Sequence, residues 1–351
     1  MLLEGIFSAI TTPFYADGEV YLRKLEHNVE RYSRSPVAGM VVLGSTGETV
    51  LLSREEQLEI LSNAIAAASP EKVMIAGVGQ ESVRHTLALA DEAARLQYDA
   101  VLVRTPHFYR PQMSPQAMLT YYRAVADSSP LPVVLYSVPV FTNYDLPVDV
   151  VGELAKHPNI IGLKDSSGRP ERIAEVVAAT RGNKATVAVT NVFAAVTGRM
   201  RAPESIGART FVAIDSLTGG AIATADLPPA PALKTRSREV DFQVLAGGAQ
   251  TLHPSLEAGA VGGVLGLAAP APQCCYEVYT AWREGNPALA AEKQQRIAPA
   301  GTRVVSQLGI AAVKYACDLN GYYGGRPRLP LLPLTGEQRS EVETLMSDVR
   351  Y

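Results

Sequence analysis

The stretch "NIIGLKDSSG", residues 159–168, contains an apolar run that does not alternate with polar residues and that ends in charged and small polar residues. Continuous runs of this kind are typical of strands that helices cover on both faces of a parallel sheet. The stretch therefore predicts a buried strand whose polar end, at Lys164 and Asp165, reaches the edge of the sheet.

Further runs of the same kind occur along the chain. They begin at Gly5, Gly39, Lys72, Asp99, Pro132, Asp241 and Ala260. Patterns with apolar residues three and four positions apart separate the early runs and predict helices, some with a serine suited to N-capping, at Ser53, Ser82 and Ser114. Eight such strands predict an α/β fold, a (β/α)8 TIM barrel. A doubly wound sheet is the alternative, but it requires a glycine-rich turn after the first strand, where "SAITTPF" stands.

The segment between predicted strands six and seven is too long for one helix, so residues of about 183–237 are predicted to be an insertion in the barrel. Its runs "ATVAVT" and "TFVAID" are candidate short strands, and its Pro/Ala segment 227–232 is typical of a linker. We interpret the insertion as a surface decoration rather than a lid. Residues 1–286 form the predicted barrel domain, and 287–351 form a C-terminal helical region.

The charge balance and the apolar runs argue against several classes of protein. With 32 Lys and Arg against 35 Asp and Glu, and with no basic block, nucleic acid is not an expected partner. No apolar run reaches the roughly 18 residues of a membrane span, and the N-terminus has no cationic leader. The 3 cysteines and 5 scattered histidines predict neither a disulfide framework nor a metal site. We expect a cytoplasmic protein that needs no cofactor.

Polar residues at strand ends are the candidates for chemistry, because the active site of a βα barrel lies at the C-terminal ends of its strands. Lys164 ends the sixth predicted strand. A lysine at the barrel mouth is partly shielded from water, and shielding favours the neutral amine that attacks a carbonyl carbon to form a Schiff base. The alternative interpretation is a surface lysine that pairs with Asp165.

Two other predicted strand ends carry polar groups that could act together with Lys164. The second predicted strand ends in "GSTGE", where Ser45 and Thr46 supply hydroxyls. In the same turn, Gly44 and Gly47 let backbone amides approach a small anion such as a carboxylate. The fifth predicted strand ends in "YSVP", where Tyr136 can exchange protons with a neighbouring lysine. The convergence of these strand ends predicts a single site.

The motifs "GSTGE", "YSVP" and "IIGLKDSSG", in this order at predicted strand ends, resemble those of the pyruvate-dependent class I lyases that include dihydrodipicolinate synthase and N-acetylneuraminate lyase. Within that group, "DLPVDVV", "DFQVLAG" and "GYYGGRPRLPLLPL" are most similar to the 4-hydroxy-2-oxoglutarate aldolases. The resemblance implies a Schiff-base aldolase that acts on a 2-oxo acid such as pyruvate without a metal. It also implies a homo-oligomer, either a dimer or a tetramer.

Carried over to this sequence, the resemblance implies that Lys164 condenses with the keto carbon of pyruvate and that Tyr136 shuttles protons. It implies that Ser45 links Tyr136 to solvent, and that Ser45 and Thr46 hold the pyruvate carboxylate. Gly247 and Leu265 fall where the family lines the lysine pocket, with backbone and with an apolar side chain respectively.

Three positions depart from the family pattern. Phe108 stands where the family has a tyrosine that reaches the neighbouring subunit's site, and Tyr109 is the residue that could supply the lost hydroxyl. Phe141 stands where dihydrodipicolinate synthase has an arginine for the carboxylate of its aldehyde substrate. Asn143 stands where many members have glycine, and it narrows or polarises the second-substrate pocket. We therefore expect cleavage of 4-hydroxy-2-oxoglutarate to pyruvate and glyoxylate.

Other functions stay open from the sequence. The chain could be a dihydrodipicolinate synthase, or an aldolase of the same family that acts on a 2-keto-3-deoxy sugar acid. It could also be a non-catalytic 2-oxo acid binding protein, for which Phe108 would be the sign of lost turnover. Turnover separates this last alternative from the others, because a Schiff base is compatible with all of them.

Overall fold

Eight parallel strands close into a barrel, and the predicted (β/α)8 TIM barrel is confirmed. The computed structural model describes residues 1–192, 194–201 and 233–349. The barrel strands are β1 (Gly5–Ala9), β2 (Gly39–Val42), β3 (Val73–Gly77), β4 (Ala100–Arg104), β5 (Val133–Ser137), β6 (Ile160–Asp165), β9 (Gln243–Ala246) and β10 (Gly262–Leu265). The insertion contains β7 (Ala185–Thr190) and β8 (Thr235–Val240). Predicted strands seven and eight are therefore β9 and β10.

Helices follow most of the barrel strands, and others lie in the insertion and in the C-terminal region. They are α1 (Leu22–Ser33), α2 (Arg54–Ala67), α3 (Val83–Arg95), α4 (Pro115–Ser128), α5 (Pro139–Thr142), α6 (Val148–Leu154), α7 (Pro170–Ala179), α8 (Gly198–Arg201), α9 (Leu252–Glu257), α10 (Pro272–Arg283), α11 (Pro287–Ala300), α12 (Ile310–Leu319) and α13 (Gly336–Ser347). The side chains of Ser53, Ser82 and Ser114 accept hydrogen bonds from the first turns of their helices, so these predicted N-caps are confirmed. In the part of the chain that the structure describes, no helix is long and apolar enough to cross a membrane.

The alternation of side chains along the barrel strands separates two apolar layers. Phe7 of β1 and Val264 of β10 belong to the inner layer, which fills the barrel. Their neighbours Ile6 and Leu265 belong to the outer layer, which packs between the strands and the helices. A polar residue of the inner layer near the carboxyl end of its strand therefore points toward the barrel mouth.

The insertion contains a two-stranded antiparallel sheet of β7 and β8, in which Ala185 lies opposite Val240. The candidate strand "ATVAVT" is confirmed as β7, and its partner is "TRSREV". The other candidate strand, "TFVAID", and the Pro/Ala segment 227–232 lie outside the described residues.

The described part of the insertion docks on the amino-terminal end of the barrel. Val187 packs with Leu2, which precedes β1. The Thr197 hydroxyl donates to a backbone carbonyl of the loop before β3 at 2.6 Å, and Arg199 donates to three others in that loop. This end is opposite to the carboxyl ends of the strands, so the described part of the insertion does not cover the barrel mouth.

The C-terminal helices reach the barrel mouth. After α11, the chain continues as a π-helix over Gly301–Gln307 before α12 begins. Three residues of this π-helix line the cavity at the mouth: Val305, Ser306 and Gln307. Short π-helical stretches are rare and often lie at functional sites. The C-terminal region thus contributes to the mouth as well as extending the barrel.

Replacement of Arg199 by alanine tests how the insertion is held. The guanidinium is nearly buried, lies 3.7 Å from the buried carboxylate of Asp99 and donates to backbone carbonyls. Its removal leaves a buried acid without its cation. We expect the Arg199→Ala variant to lose about 2–4 kcal/mol of unfolding free energy in urea denaturation.

The control for this experiment is Lys184→Ala. It removes an exposed ion pair between Lys184, which directly precedes β7, and Glu239 of β8. Exposed pairs contribute little to stability, so the control should unfold at the same urea concentration as the native protein. An unchanged unfolding midpoint in Arg199→Ala would contradict the docking of the insertion on the barrel.

Candidate active site

A cavity of about 440 Å³ opens at the carboxyl ends of the barrel strands. Its wall combines the ends of β2, β5, β6, β9 and β10 with residues of the C-terminal helices. Six residues that the sequence predicted for the site line this cavity: Ser45, Thr46, Tyr136, Phe141, Lys164 and Gly247. Closure of the barrel therefore gathers groups that are far apart in the chain.

Lys164 is buried near the end of β6, with 4% of its surface exposed. It lies opposite Tyr136 of β5 and Leu245 of β9, and its Nζ is 4.1 Å from the centroid of the Tyr136 ring. Within the described residues no carboxylate pairs with this amine. Asp165 pairs with Arg172 instead, because consecutive strand residues point to opposite faces of a sheet. The alternative of a surface lysine paired with Asp165 is therefore wrong.

Asp165 fixes the turn that follows β6. Its carboxylate accepts hydrogen bonds from Arg172 Nε at 2.8 Å, from the Ser167 amide at 2.9 Å and from the Ser167 hydroxyl. In such an Asx turn, a side-chain oxygen holds the backbone two residues later. Ser166 and Ser167 line the cavity from this turn. A Cβ at Gly247 would lie 2.0 Å from Ser166 Oγ, so only glycine lets the chain after β9 approach the turn so closely.

The Tyr136 hydroxyl lies 3.2 Å from Ser45 Oγ, within hydrogen-bonding distance. Tyr136 itself is buried, and its ring is the one beneath the Lys164 amine. The phenol therefore lies between the lysine and the turn after β2. In this position it can exchange a proton with the amine or with a molecule attached to the amine.

Residues Ser45–Gly47 form a 3₁₀ turn after β2. The amides of Gly47 and Glu48 donate to carbonyls inside the turn. The first amides of any helical turn have no partner within it. Ser45 and Thr46 therefore combine hydroxyls with amides that the turn itself does not use, and both residues line the cavity.

Five predicted residues do not line this cavity: Gly44, Gly47, Phe108, Asn143 and Leu265. Gly44 precedes the Ser45–Gly47 turn and Gly47 is its last residue. The Gly47 amide donates a hydrogen bond to the Gly44 carbonyl. The Leu265 side chain lies in the outer apolar layer, so it does not line the lysine pocket as expected. Asn143 is exposed at the end of α5, in a left-handed conformation with φ of 48°.

Phe108 lies on the loop after β4, 75% exposed, with its ring edge-on to that of Tyr109 at 5.1 Å. Glu81 holds this loop by accepting hydrogen bonds from the amides of His107 and Phe108 at 2.9 and 3.0 Å. Burial alone would raise the pKa of Glu81, but these amides and the Arg104 guanidinium hold it below its ordinary value. The loop thus keeps Phe108 and Tyr109 at the surface of a single chain.

The remaining polar lining of the cavity is neutral, and most of it was missed from the sequence. It consists of Ser166, Ser167, Gln250, Ser306 and Gln307. Among the described residues that line the cavity, Lys164 is the single cation, and none is an acid. Gln250 follows the end of β9, so the rule about strand ends could have found it. Residues 1–192, 194–201 and 233–349 hold no group of three or more His, Cys, Asp or Glu arranged for a metal ion.

The model of the dihydrodipicolinate synthetase family matches residues 2–188 and 195–349. The chain belongs to this family. Relatives of the family are named synthases and aldolases, and this chain is accordingly a carbon–carbon lyase. The family was the one that the motifs at the strand ends indicated, and that prediction is confirmed.

Individual relatives match over almost the whole chain. The 4-hydroxy-tetrahydrodipicolinate synthase of Methanothrix thermoacetophila is 28% identical, with 99% of this chain and 98% of the relative covered. The L-threo-3-deoxy-hexylosonate aldolase of Hypocrea jecorina is also 28% identical, with 97% and 93% covered. Among solved structures, the chloride-inhibited dihydrodipicolinate synthase from Acinetobacter baumannii complexed with pyruvate is 26% identical, with a TM-score of 0.79 and 99% of each chain covered.

Proposed function

We propose that this chain is a Schiff-base aldolase that cleaves 4-hydroxy-2-oxoglutarate to pyruvate and glyoxylate. The observation that carries the proposal is the buried Lys164 amine, 4.1 Å from the ring of Tyr136, whose hydroxyl is 3.2 Å from Ser45 Oγ. An amine, a phenol and a second hydroxyl in this order supply a nucleophile and a proton relay. A scaffold or a simple binding protein does not need all of them at one mouth.

The proposed reaction begins when the neutral Nζ of Lys164 adds to the C2 carbonyl carbon of the substrate. The carbinolamine then loses water and leaves a protonated imine. Ser45 and Thr46 bind the adjacent C1 carboxylate with the hydroxyls and amides of their turn. The imine needs no metal ion, because its own positive charge accepts the electrons that are released in the next step.

Cleavage follows when Tyr136, having given its proton to the water that leaves the carbinolamine, removes the proton from the C4 hydroxyl. The C4 oxygen forms the aldehyde of glyoxylate as the C3–C4 bond breaks, and the bonding electrons move into the imine to give an enamine. Protonation of the enamine at C3 by Tyr136 and hydrolysis of the imine release pyruvate and restore the amine. Ser45 connects the Tyr136 hydroxyl to the next proton donor.

The part of the cavity wall that contains Phe141 is suited to a small aldehyde substrate. Phe141 stands there, 62% exposed, and no guanidinium lines the described part of the wall. The neutral donors Ser166 and Gln250 can bind the carboxylate of glyoxylate through hydroxyl and amide hydrogens. Dihydrodipicolinate synthesis is disfavoured, because Phe141 stands where the resemblance to dihydrodipicolinate synthase implies an arginine that binds the carboxylate of its aldehyde substrate.

Cleavage of a 2-keto-3-deoxy sugar acid is the second candidate. It is favoured by the cavity volume of about 440 Å³ and by the further neutral groups of Ser306 and Gln307. These groups suit the hydroxyls of a longer substrate. One aligned relative is named an aldolase of a 3-deoxy-hexylosonate, which fits the same candidate.

Borohydride trapping tests the proposed chemistry. We expect incubation with pyruvate and borohydride to add one reduced pyruvyl group, detected by intact mass and located on Lys164 by peptide mapping. Lys164→Ala should form no adduct. Tyr136→Phe should still form it, but should cleave substrate about 10²–10⁴-fold more slowly, because it lacks the proton shuttle. An adduct on another lysine would contradict the proposal.

Product analysis tests the substrate. We expect the native protein to release glyoxylate from 4-hydroxy-2-oxoglutarate faster than it releases an aldehyde from a six-carbon 2-keto-3-deoxy sugar acid, with pyruvate measured in both assays. The reverse order would select the second candidate. A trapped pyruvyl adduct without turnover of either compound would instead indicate a protein that binds 2-oxo acids.

We propose in addition that the protein is a cytoplasmic homo-oligomer in which a second copy covers Phe108 and Tyr109. Two adjacent aromatic rings that are 75% and 65% exposed are unusual on a free surface, and their loop is held by hydrogen bonds. The three cysteines are buried, which fits a reducing compartment.

Substitution of Phe108 tests the covering of this loop. We expect Phe108→Asp to reduce the oligomer measured by sedimentation, because an aspartate in an apolar contact is desolvated without a partner. Lys156→Asp, at an exposed position of another surface, is the control and should leave the oligomer intact. A native protein that sediments as a monomer would overturn this part of the proposal.

A further inference from the structure

A buried ion pair connects the turn after β2 to the end of the chain. Lys314 Nζ lies 2.6 Å from Glu48 Oε1, and both side chains have 0% of their surface exposed. The two residues are 266 positions apart. Removal of two charges from water is costly, and replacement of such pairs by apolar residues is often neutral or stabilising. Stability alone is therefore a poor reason for this pair, and a positional role is the better one.

Glu48 is the residue that ends the Ser45–Gly47 turn. Its backbone is left-handed, with φ of 57° and ψ of 30°, a conformation that is unfavourable for residues other than glycine. Both oxygens of its carboxylate are bonded: Oε1 accepts from Lys314, and Oε2 accepts from the Arg328 amide at 2.8 Å. These bonds hold the side chain, and through it they hold the strained backbone at the end of the turn.

Lys314 is held equally well on its side of the contact. It belongs to α12, its Nζ also donates to the Arg326 carbonyl at 2.8 Å, and it lies 4.2 Å from the centroid of the Phe14 ring. Burial lowers the pKa of Lys314, while the charge of Glu48 acts in the opposite direction. The Glu48 carboxylate therefore favours the charged form of Lys314. In turn, the Lys314 ammonium group holds Glu48 at the end of the Ser45–Gly47 turn.

The segment after α12 strengthens the same connection. The Arg328 guanidinium donates to the Glu56 carboxylate at 2.6 and 2.7 Å and to the Leu51 carbonyl at 2.9 Å. Leu51 and Glu56 follow Glu48 closely in the chain. The C-terminal region thus holds the chain at several points just beyond the turn, and the turn cannot move without disturbing these contacts.

The helix that carries Lys314 also lines the cavity. Ile310 and Val313 of α12 line the same cavity as Ser45 and Thr46. One short helix therefore touches the cavity with two residues and holds the end of the turn with a third. This arrangement couples the position of the C-terminal region to the position of the turn.

We propose that Glu48 and Lys314 are positioning residues, which orient the Ser45–Gly47 turn toward the carboxylate of the 2-oxo acid. The inference rests on the proposed function, because it presumes that this turn binds the C1 carboxylate. Neither residue touches substrate. Loss of the pair lets the turn relax from its left-handed end, and the contacts to the carboxylate are lost while Lys164 stays in place.

A comparison of two ketones tests the proposal. Pyruvate carries the carboxylate that the turn would bind, whereas acetone offers only the carbonyl group to Lys164. The rate of borohydride trapping is measured with each ketone for Glu48→Gln, for Lys314→Met and for the double variant. The double variant is included because removal of both charges leaves no unpaired buried ion, so it should fold even where a single variant does not.

We expect the double variant to trap pyruvate about 10–100-fold more slowly than the native protein and to trap acetone at the native rate. Lys293→Met, which removes a partly exposed ion pair between Lys293 of α11 and Glu277 of α10, is the control and should trap both ketones normally. A double variant that traps pyruvate at the native rate would overturn the proposal.

A second outcome would also overturn it. Equal losses with pyruvate and with acetone would mean that the pair supports the whole fold or the amine, not the turn in particular. Absence of any pyruvate adduct in the native protein is a different failure, since it would overturn the proposed function and this inference together. Pyruvate trapping by the native protein is therefore measured first, because it tests the proposed function separately from the role of the ion pair.

Discussion

The pairing of β5 with β6 is the constraint on which the candidate site depends. It sets Tyr136 opposite Lys164 on the inner face of the barrel, so that an amine and a phenol meet in a place that water hardly reaches. The next residue, Asp165, points to the other face and pairs with Arg172. Because of the two-residue period of a strand, one segment supplies an amine to the cavity and a structural carboxylate to the layer outside it.

The described part of the insertion and the C-terminal region lie at opposite ends of the barrel. The described part of the insertion packs on the loops that precede β1 and β3, through Val187 and Arg199. The C-terminal region packs at the mouth, where Gln307 lines the cavity and Lys314 holds the end of the turn after β2. The barrel therefore separates the described part of the insertion from the C-terminal residues that line the cavity.

Much of the site could be predicted because its groups lie at strand ends, and barrel closure brings strand ends together. Lys164, Tyr136 and Ser45 were predicted in this way, and all three line the cavity. Leu265 was misplaced because an apolar run that is buried on both faces does not reveal which of its residues point inward. Gln307 was missed because nothing in a helical pattern shows that a π-helix will turn that residue toward the cavity.

The sequence by itself determined the barrel, its serine-capped helices and the family, because apolar runs, N-caps and strand-end motifs are encoded within a few neighbouring residues. Only the tertiary structure decided that Glu48 meets Lys314 and that the described part of the insertion lies away from the mouth. Glu48 had no partner within reach along the chain, and Lys314 looked like an ordinary helical lysine. Contacts between segments 266 residues apart form only when the barrel closes and the last helices dock on it.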